Sequence, residues 1–305
     1  MYPQETREKI IKRILFSLKK HGFSVSQYNS FFDLIAKKDF LLLIKILLNI
    51  DSFNYLQAEC LKILSSFISA KPFLIGLRTR KRKMEDFVVY DRFEIPAMTP
   101  KGFENLFEGV YPFVYAKRGG YFVELDFESI KEKKQELNLS LNQLAKEIGV
   151  SRKTIEKCES GGKFLLEKAL ILEEVLNTCV VKPITLDKEY KIRHLEPKNE
   201  FEKEISDELE RIGFEYSFLN STQFNLLIKK SNVLISKASE NKKNLINSTS
   251  FIKSVSESLG LNPVLITEKS RKNSIFGIPI IERKELKEIE DNKDFIYLIE
   301  KKSAS

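Results

Sequence analysis

A stretch of sequence that returns in order further along the chain constrains the fold more than any other feature, because both copies must satisfy one architecture. His21-Gly22-Phe23 returns as Ile212-Gly213-Phe214, and the run from Phe32 to Lys45 (FDLIAKKDFLLLIK) returns from Phe224 to Lys237 (FNLLIKKSNVLISK). Lys71-Pro72-Phe73-Leu74-Ile75 matches Asn262-Pro263-Val264-Leu265-Ile266, and Glu94-Ile95-Pro96 matches Gly277-Ile278-Pro279. A fifth pair, Phe113-Val114-Tyr115 with Phe295-Ile296-Tyr297, completes the order, the second copy having the shorter loop.

Within one copy, Ile10, Ile11, Ile14, Leu15 and Leu18 share the spacing of one helix face. Extended runs follow at Phe32–Ile35 and Phe40–Leu47, then a helix near Ser52–Ile68 and further short strands. The runs are apolar on both faces, which suits central strands covered by helices. The predicted fold class is α+β: two repeated α/β domains, at 1–118 and 186–305, flanking an all-α domain at 119–185.

That order resembles the core of restriction endonuclease-like folds. The resemblance implies a metal site made of an Asp at the start of one strand and an acid two residues before a Lys on the next, since carboxylates hold Mg²⁺ and the Lys helps activate water. Asp33 and Lys45 match the outer positions, but Leu43 stands where the second acid belongs. In the second copy Asn225 and Ile235 replace both acids and only Lys237 is kept. An aliphatic side chain cannot bind magnesium, so no catalytic residue, metal or other cofactor is expected. Glu59 could be a migrated acid, although a surface Glu on an amphipathic helix is the ordinary reading. Asp33 and Lys45 are read as a charge pair at a sheet edge. Lys37, Lys38, Lys229 and Lys230 are read as solvated turn residues.

Between the copies, residues 127–176 carry apolar residues at helical spacing with breaks at Asn138, Gly149 and Gly161. Ser140 and Ser151 are placed to cap successive helices, and Leu144, Ala145, Ile148, Val150 and Ile155 face inward. The string Leu141–Gly161 resembles the Cro/CI repressor family in Ala145, the turn Gly149-Val150-Ser151, the pair Thr154-Ile155 and the closing Glu159-x-Gly161. The resemblance implies a helix-turn-helix whose recognition helix enters the DNA major groove with Ser151, Arg152, Lys153, Thr154 and Lys157 at its leading end. Leu141 departs from the polar residue many members carry, so no phosphate contact is assigned there. A helical spacer or a protein-binding module would share the same apolar spacing.

Charge supports a polyanionic partner without choosing one: 51 Lys and Arg oppose 43 Asp and Glu, for a formal net charge of +8. From Lys131 to Lys163 there are eight basic residues and five acidic ones, a modest surplus in the right place. The run Arg78-Thr79-Arg80-Lys81-Arg82-Lys83 holds five basic side chains in six residues of a loop and could grip phosphates. Cys60, Cys158 and Cys179 have no metal or disulfide spacing and are read as reduced thiols, mostly in the core. No secretory signal or membrane-length apolar run is present, so a cytoplasmic, nucleoid-associated protein is expected.

Residues 30–180, including the stretch before the helix-turn-helix that contains Ile95-Pro96-Ala97-Met98-Thr99-Pro100, resemble archaeal helix-turn-helix-type transcriptional regulators. That resemblance implies double-stranded DNA as partner and a regulatory role. A homodimer with two reading modules, assembled through the flanking domains, is expected; the alternative is that the two copies pair with each other inside one chain and leave the module monomeric. Alternatives are a metal-dependent nuclease targeted by its helix-turn-helix and an architectural nucleoid protein.

Overall fold

The structure is a computed structural model and describes residues 6–159, 162–186, 190, 195–221 and 223–303. The N-terminal segment holds α1 (Arg7–Lys20), β1 (Ser24–Gln27), β2 (Leu34–Lys37), β3 (Leu41–Asn49), a 3-10 turn at Ile50–Ser52, α2 (Tyr55–Phe67), β4 (Ala70–Arg78), β5 (Val88–Arg92), β6 (Ile95–Met98) and α3 (Pro100–Phe107). The middle holds β7 (Val114–Lys117), β8 (Gly120–Leu125), α4 (Phe127–Glu136), α5 (Leu141–Glu147), α6 (Arg152–Glu159), β9 (Phe164–Leu165), α7 (Leu166–Leu176) and β10 (Val181–Lys182). The C-terminal segment holds α8 (Glu200–Arg211), β11 (Glu215–Phe218), β12 (Leu226–Lys229), β13 (Val233–Ala238), α9 (Lys242–Leu259), β14 (Asn262–Thr267), β15 (Ser274–Ile275), β16 (Ile278–Glu282), α10 (Arg283–Glu288) and α11 (Asn292–Ser303).

Packing groups these elements into two compact units: Met1–His21 with Ile46–Phe53 and Phe73–Asp187, and Gly22–Lys45 with Asn54–Pro72 and Lys188–Ser305. Residues 22–45 and 54–72 thus pack with the C-terminal segment, a grouping that a division at residues 118 and 185 does not anticipate.

In the first unit the strand order is β4-β6-β5-β7-β8-β10, with β9 beside β8. β4 and β6 run parallel, whereas β5 and β6 run antiparallel. The α1 helix is capped by Thr6 and joined to α3 by Arg13, whose guanidinium meets Glu104 at 2.7 Å. Thr99 caps α3 by accepting from Gly102 N–H at 3.0 Å, and its hydroxyl donates to Asp86 at 2.6 Å. A Cβ at Gly102 would stand 2.3 Å from the Asp86 carbonyl oxygen, so this approach requires glycine.

The second unit contains two groups of strands. β1 and β2 pair antiparallel, as do β2 and β3, with Leu34 opposite Ile44. The other group has the order β11-β12-β13-β14-β16-β15. β12 and β13 are antiparallel, and β13, β14 and β16 are parallel neighbours, which bury both faces as the apolar runs require. Its core draws Phe201, Ile205 and Leu209 from α8, Leu226, Leu234, Val264 and Ile281 from the strands, and Phe295 from α11. The α2 helix starts three residues later than expected, at Tyr55, because Asn54 and Gln57 form a reciprocal capping box.

The first four sequence matches fall on corresponding elements, whereas the fifth does not. Val114-Tyr115 opens β7, but Phe295-Ile296-Tyr297 lies in α11. Three apolar residues cannot distinguish strand from helix; Asp291 decides the second case by accepting from Lys293 and Asp294 N–H at 2.7 and 3.0 Å.

Candidate nucleic-acid interface

The four helices α4 to α7 occupy the predicted stretch and enclose one core of Ile130, Leu144, Ala145, Ile148, Ile155, Ala169, Leu172 and Leu176, with Val123 and Leu125 from β8. Ser140 caps α5 through a box with Gln143, and Leu141 packs against this core. Gly149 takes φ +67°, a conformation few side chains tolerate, and Val150 N–H donates to Ala145 carbonyl at 2.9 Å to close α5. Ser151 then accepts from Thr154 N–H at 3.1 Å, which opens α6. The close helix crossing therefore follows from a small buried residue, a left-handed glycine and a hydroxyl cap.

Burial of Ile155 fixes how α6 turns. Ser151, Arg152, Lys153, Thr154 and Lys157 are exposed as a consequence. Arg152 pairs with Glu156 at 2.6 Å, but this exposed i,i+4 pair is worth only about 0.3–0.5 kcal/mol and would yield easily to a base or phosphate. Ser151 and Thr154 hydroxyls lie 2.8 Å apart. Gly161 lies outside the described residues, as do the side chains of Cys158 and Glu159.

Beside α6 is a cleft of about 490 Å³ whose lining includes Ser151, Lys153, Lys157, Lys163 and Lys168. Lys168 escaped the sequence reading because it belongs to α7, beyond the recognizable motif. Lys163 is turned inward, bonded to Glu124 and 3.9 Å from the centre of the Tyr115 ring. Burial, and secondarily Asp91, push the Tyr115 phenol up to about 12, so it stays protonated and donates to Glu124 at 3.0 Å. One of the eight basic residues counted across the motif is thus occupied by the sheet.

The basic run forms a pinned turn. Arg78 bridges Lys83, Thr79 N–H donates to Arg82 carbonyl at 2.9 Å, and the Thr79 hydroxyl accepts from Lys81 and Arg82 N–H at 3.2 and 3.1 Å. Asp51 accepts from Arg80 N–H at 2.7 Å. Arg78, Arg80, Lys81, Arg82 and Lys83 are exposed, with Arg82 stacked 5.0 Å from the Tyr121 ring centre.

The positions corresponding to a nuclease metal site are buried. Lys45 meets Asp33 at 3.0 Å and the Ser30 carbonyl at 2.5 Å, while Leu43 is wholly buried. The expected ion pair is present, but it is buried and Asp33 leads into β2, which is paired on both sides, so the pair is not at a sheet edge. Glu59 is also buried, only 3% exposed, and pairs with Lys62 at 2.5 Å, so the surface reading of this residue is corrected. Asn225 donates to Glu202 at 2.8 Å and to the Ala238 carbonyl at 3.1 Å, and accepts from Ala238 N–H at 2.9 Å. Burial lowers the Lys237 pKa below the ordinary lysine value, with Glu202 opposing and Lys198 reinforcing the shift. Among the described residues no three His, Cys, Asp or Glu side chains are grouped to hold a metal. Lys37, Lys38 and Lys230 are exposed; Lys229 is half-buried, 5.9 Å from the Phe67 ring centre.

Residues flanking these positions meet inside the second unit. Phe31 and Phe224 ring centres are 5.7 Å apart, and Tyr28 and Phe251 are 5.5 Å apart. Tyr28 hydroxyl donates to the Ser254 carbonyl at 2.8 Å, and Ser30 donates to Gln223 at 3.0 Å. Asn220 N–H points to Cys60 sulfur at 3.2 Å; burial pushes this thiol up to about 11. Cys60 is buried, whereas Cys179 is exposed.

Residues 7–112 match the PD-(D/E)XK superfamily domain, and residues 130–179 match a helix-turn-helix family. No solved structure matches. The relatives include provisionally named HTH-type transcriptional regulatory proteins: PH1808 of Pyrococcus horikoshii is 36% identical over 96% of this chain and 95% of its own. A counterpart from Methanothermobacter thermautotrophicus is 35% identical over 98% of both chains, and MJ1164 of Methanocaldococcus jannaschii is 34% identical over 95% of both. With a helix-turn-helix in the middle, a nuclease-like segment before it and relatives aligned over nearly their whole length, this chain belongs to the archaeal family of HTH-type transcriptional regulatory proteins.

Proposed function

We propose that the protein is a sequence-specific double-stranded DNA-binding transcriptional regulator, read out by α6, with nuclease-like segments that bind or assemble without cutting. The observation that carries this reading is the orientation of α6: Ile155 is buried while Arg152, Lys153, Thr154 and Lys157 are exposed. Arg and Lys can reach guanine O6 and N7, and Thr can pack on a thymine methyl. We read residues 78–83 as a sequence-independent phosphate contact. Among the described residues no helix is long and apolar enough to cross a membrane, and we assign the protein to the cytoplasm and nucleoid.

We further read the chain as three modules, 1–118, 119–185 and 186–305, the outer two arising by duplication. Agreement between β1-β2-β3 and β11-β12-β13 in order and pairing supports duplication. One reading module contacts few base pairs, so the working unit is a homodimer that sets two α6 helices about 34 Å apart. The Tyr28–Ser254 and Phe31–Phe224 contacts already occupy part of both segments within one chain, so the dimer interface uses other surfaces.

The full-length protein should select a near-palindromic site from random duplexes, as a dimer by light scattering. Arg152→Ala with Lys153→Ala should lose about 1–3 kcal/mol of discrimination per base-reading pair while retaining non-specific binding. An unchanged selected site would remove α6 as the reader. The PD-(D/E)XK match favours a nuclease as the second reading. Plasmid and branched DNA should stay intact in Mg²⁺ or Mn²⁺; metal-dependent cleavage by the wild-type protein that is lost in a folded Asp33→Asn variant would establish that alternative.

A further inference from the structure

The basic turn after β4 has a counterpart after β14 that the five sequence matches do not include. Arg78-Thr79-Arg80-Lys81, which begins on the last residue of β4, and Lys269-Ser270-Arg271-Lys272, which begins just beyond β14, correspond basic residue for basic residue and hydroxyl for hydroxyl. In both, the three basic residues are exposed and the hydroxyl residue is half-buried. The local geometry repeats as well. Thr79 hydroxyl accepts from Lys81 N–H at 3.2 Å, and Ser270 hydroxyl accepts from Lys272 N–H at 3.1 Å. Each turn is also pinned by a carboxylate: Asp51 accepts from Arg80 N–H at 2.7 Å, and Glu282 accepts from Ser270 N–H at 2.6 Å.

Lys269, Ser270 and Arg271 of the second turn line a cleft of about 770 Å³ in the C-terminal segment, to which Lys242 and Lys284 also contribute. Carboxylates line the cleft too, each with a cation or N–H beside it, and the second oxygen of Glu268 is buried without a hydrogen bond. Glu268 meets Arg283 at 2.8 Å, Glu282 holds the turn, and Glu288 lies 3.9 Å from Lys284. Lys269, Arg271 and Lys272 side chains make no hydrogen bond or ion pair among the described residues. A loop that serves only to connect strands need not preserve three exposed cations and a hydroxyl-pinned backbone while its neighbouring sequence changes. Pre-ordered cations around a concave surface instead suit a rigid, closely spaced row of phosphates.

We propose that the Lys269–Lys272 turn is a second phosphodiester-contact site for double-stranded DNA, the counterpart of the Arg78–Lys81 turn. The proposal rests on the DNA-binding reading above and adds a surface to it. It contributes affinity shared by all sequences and leaves base preference to α6.

The test uses the full-length protein with the selected duplex, a random-sequence duplex and inorganic phosphate as competitor across a salt series. Lys269→Ala, Arg271→Ala and Lys272→Ala together should weaken both duplexes by the same factor. The slope of log affinity against log salt should become shallower by about 0.9 for each phosphate that is no longer neutralised. The charge-conserving set Lys269→Arg, Arg271→Lys and Lys272→Arg should restore the wild-type slope, which separates lost charge from lost folding. Inorganic phosphate should compete only as bulk salt does. An unchanged affinity and slope in the alanine variant, with wild-type binding intact, would overturn this site alone. Strong competition by inorganic phosphate, above an equal ionic strength of chloride, would overturn it in favour of a small-anion pocket. If wild-type protein binds neither duplex, the DNA-binding reading itself falls.

Discussion

The two segments treat the same strand positions differently. In the N-terminal one, Asp33 and Lys45 remain as an ion pair in the interior; in the C-terminal one, Asn225 has become a backbone clamp and Lys237 remains as a buried cation. Both have an aliphatic residue, Leu43 or Ile235, where a second acid would stand. The difference shows two ways to hold a polar residue at the start of a buried strand. One pairs an acid with a lysine, whereas the other carries no charge and uses both ends of an amide. Asp33, Lys45 and Asn225 are all hydrogen-bonded in the interior, as a low dielectric demands.

The largest effect should come from the ion pair. Asp33→Ala leaves Lys45 buried without its carboxylate and should cost about 3–5 kcal/mol by denaturant unfolding. Asp33→Asn should recover part of this loss, because Asn225 shows that an amide fits the corresponding place. Next comes Asn225→Leu, which strands the Ala238 N–H and one Glu202 oxygen and should cost about 2 kcal/mol. A larger loss at Asn225 than at Asp33 would invert the comparison and make the clamp the stronger device.

The smallest effect is in pH dependence. Lys237 has a folded pKa below that of an ordinary lysine, so the unfolded chain holds the proton more tightly. The resulting penalty is complete below the folded pKa and is relieved as pH rises from there to the ordinary lysine value. Unfolding midpoints should therefore rise for wild type relative to Lys237→Met through that alkaline window. A constant difference between the two curves would mean that burial does not set the proton affinity of Lys237.

The helix-turn-helix was legible because its determinants are local. Ser140, Gly149 and Ser151 each act within a few residues, as cap, turn and cap, in the places their spacing implied. The strands around Asp33 and Lys45 were legible through their apolar faces. Burial of Glu59 was not, because it depends on what α2 packs against, and a lone Glu among helical residues carries no mark of its surroundings. Nor could the chain order reveal that Tyr28 and Phe31 pack against residues about two hundred positions away. The fifth repeat pair was a match of side chains without a match of structure, because Asp291 starts a helix before Phe295 whereas Val114-Tyr115 are extended.

The attachment of the helices to the sheet has a consequence for how such proteins diversify. β8 enters the helical stretch and β10 leaves it as antiparallel neighbours, with Val181 opposite Leu125, and Asp126 N–H donates to the Val180 carbonyl at 2.7 Å. The stretch from Phe127 to Cys179 therefore leaves and rejoins the sheet at one point, and β9 within it pairs back onto β8, with Val123 opposite Phe164. Because Val123 and Leu125 also pack in the helical core, any replacement for these helices has to cover the same two residues and pair with the same strand edge. Sequence change is least constrained on the exposed face of α6, which carries neither role.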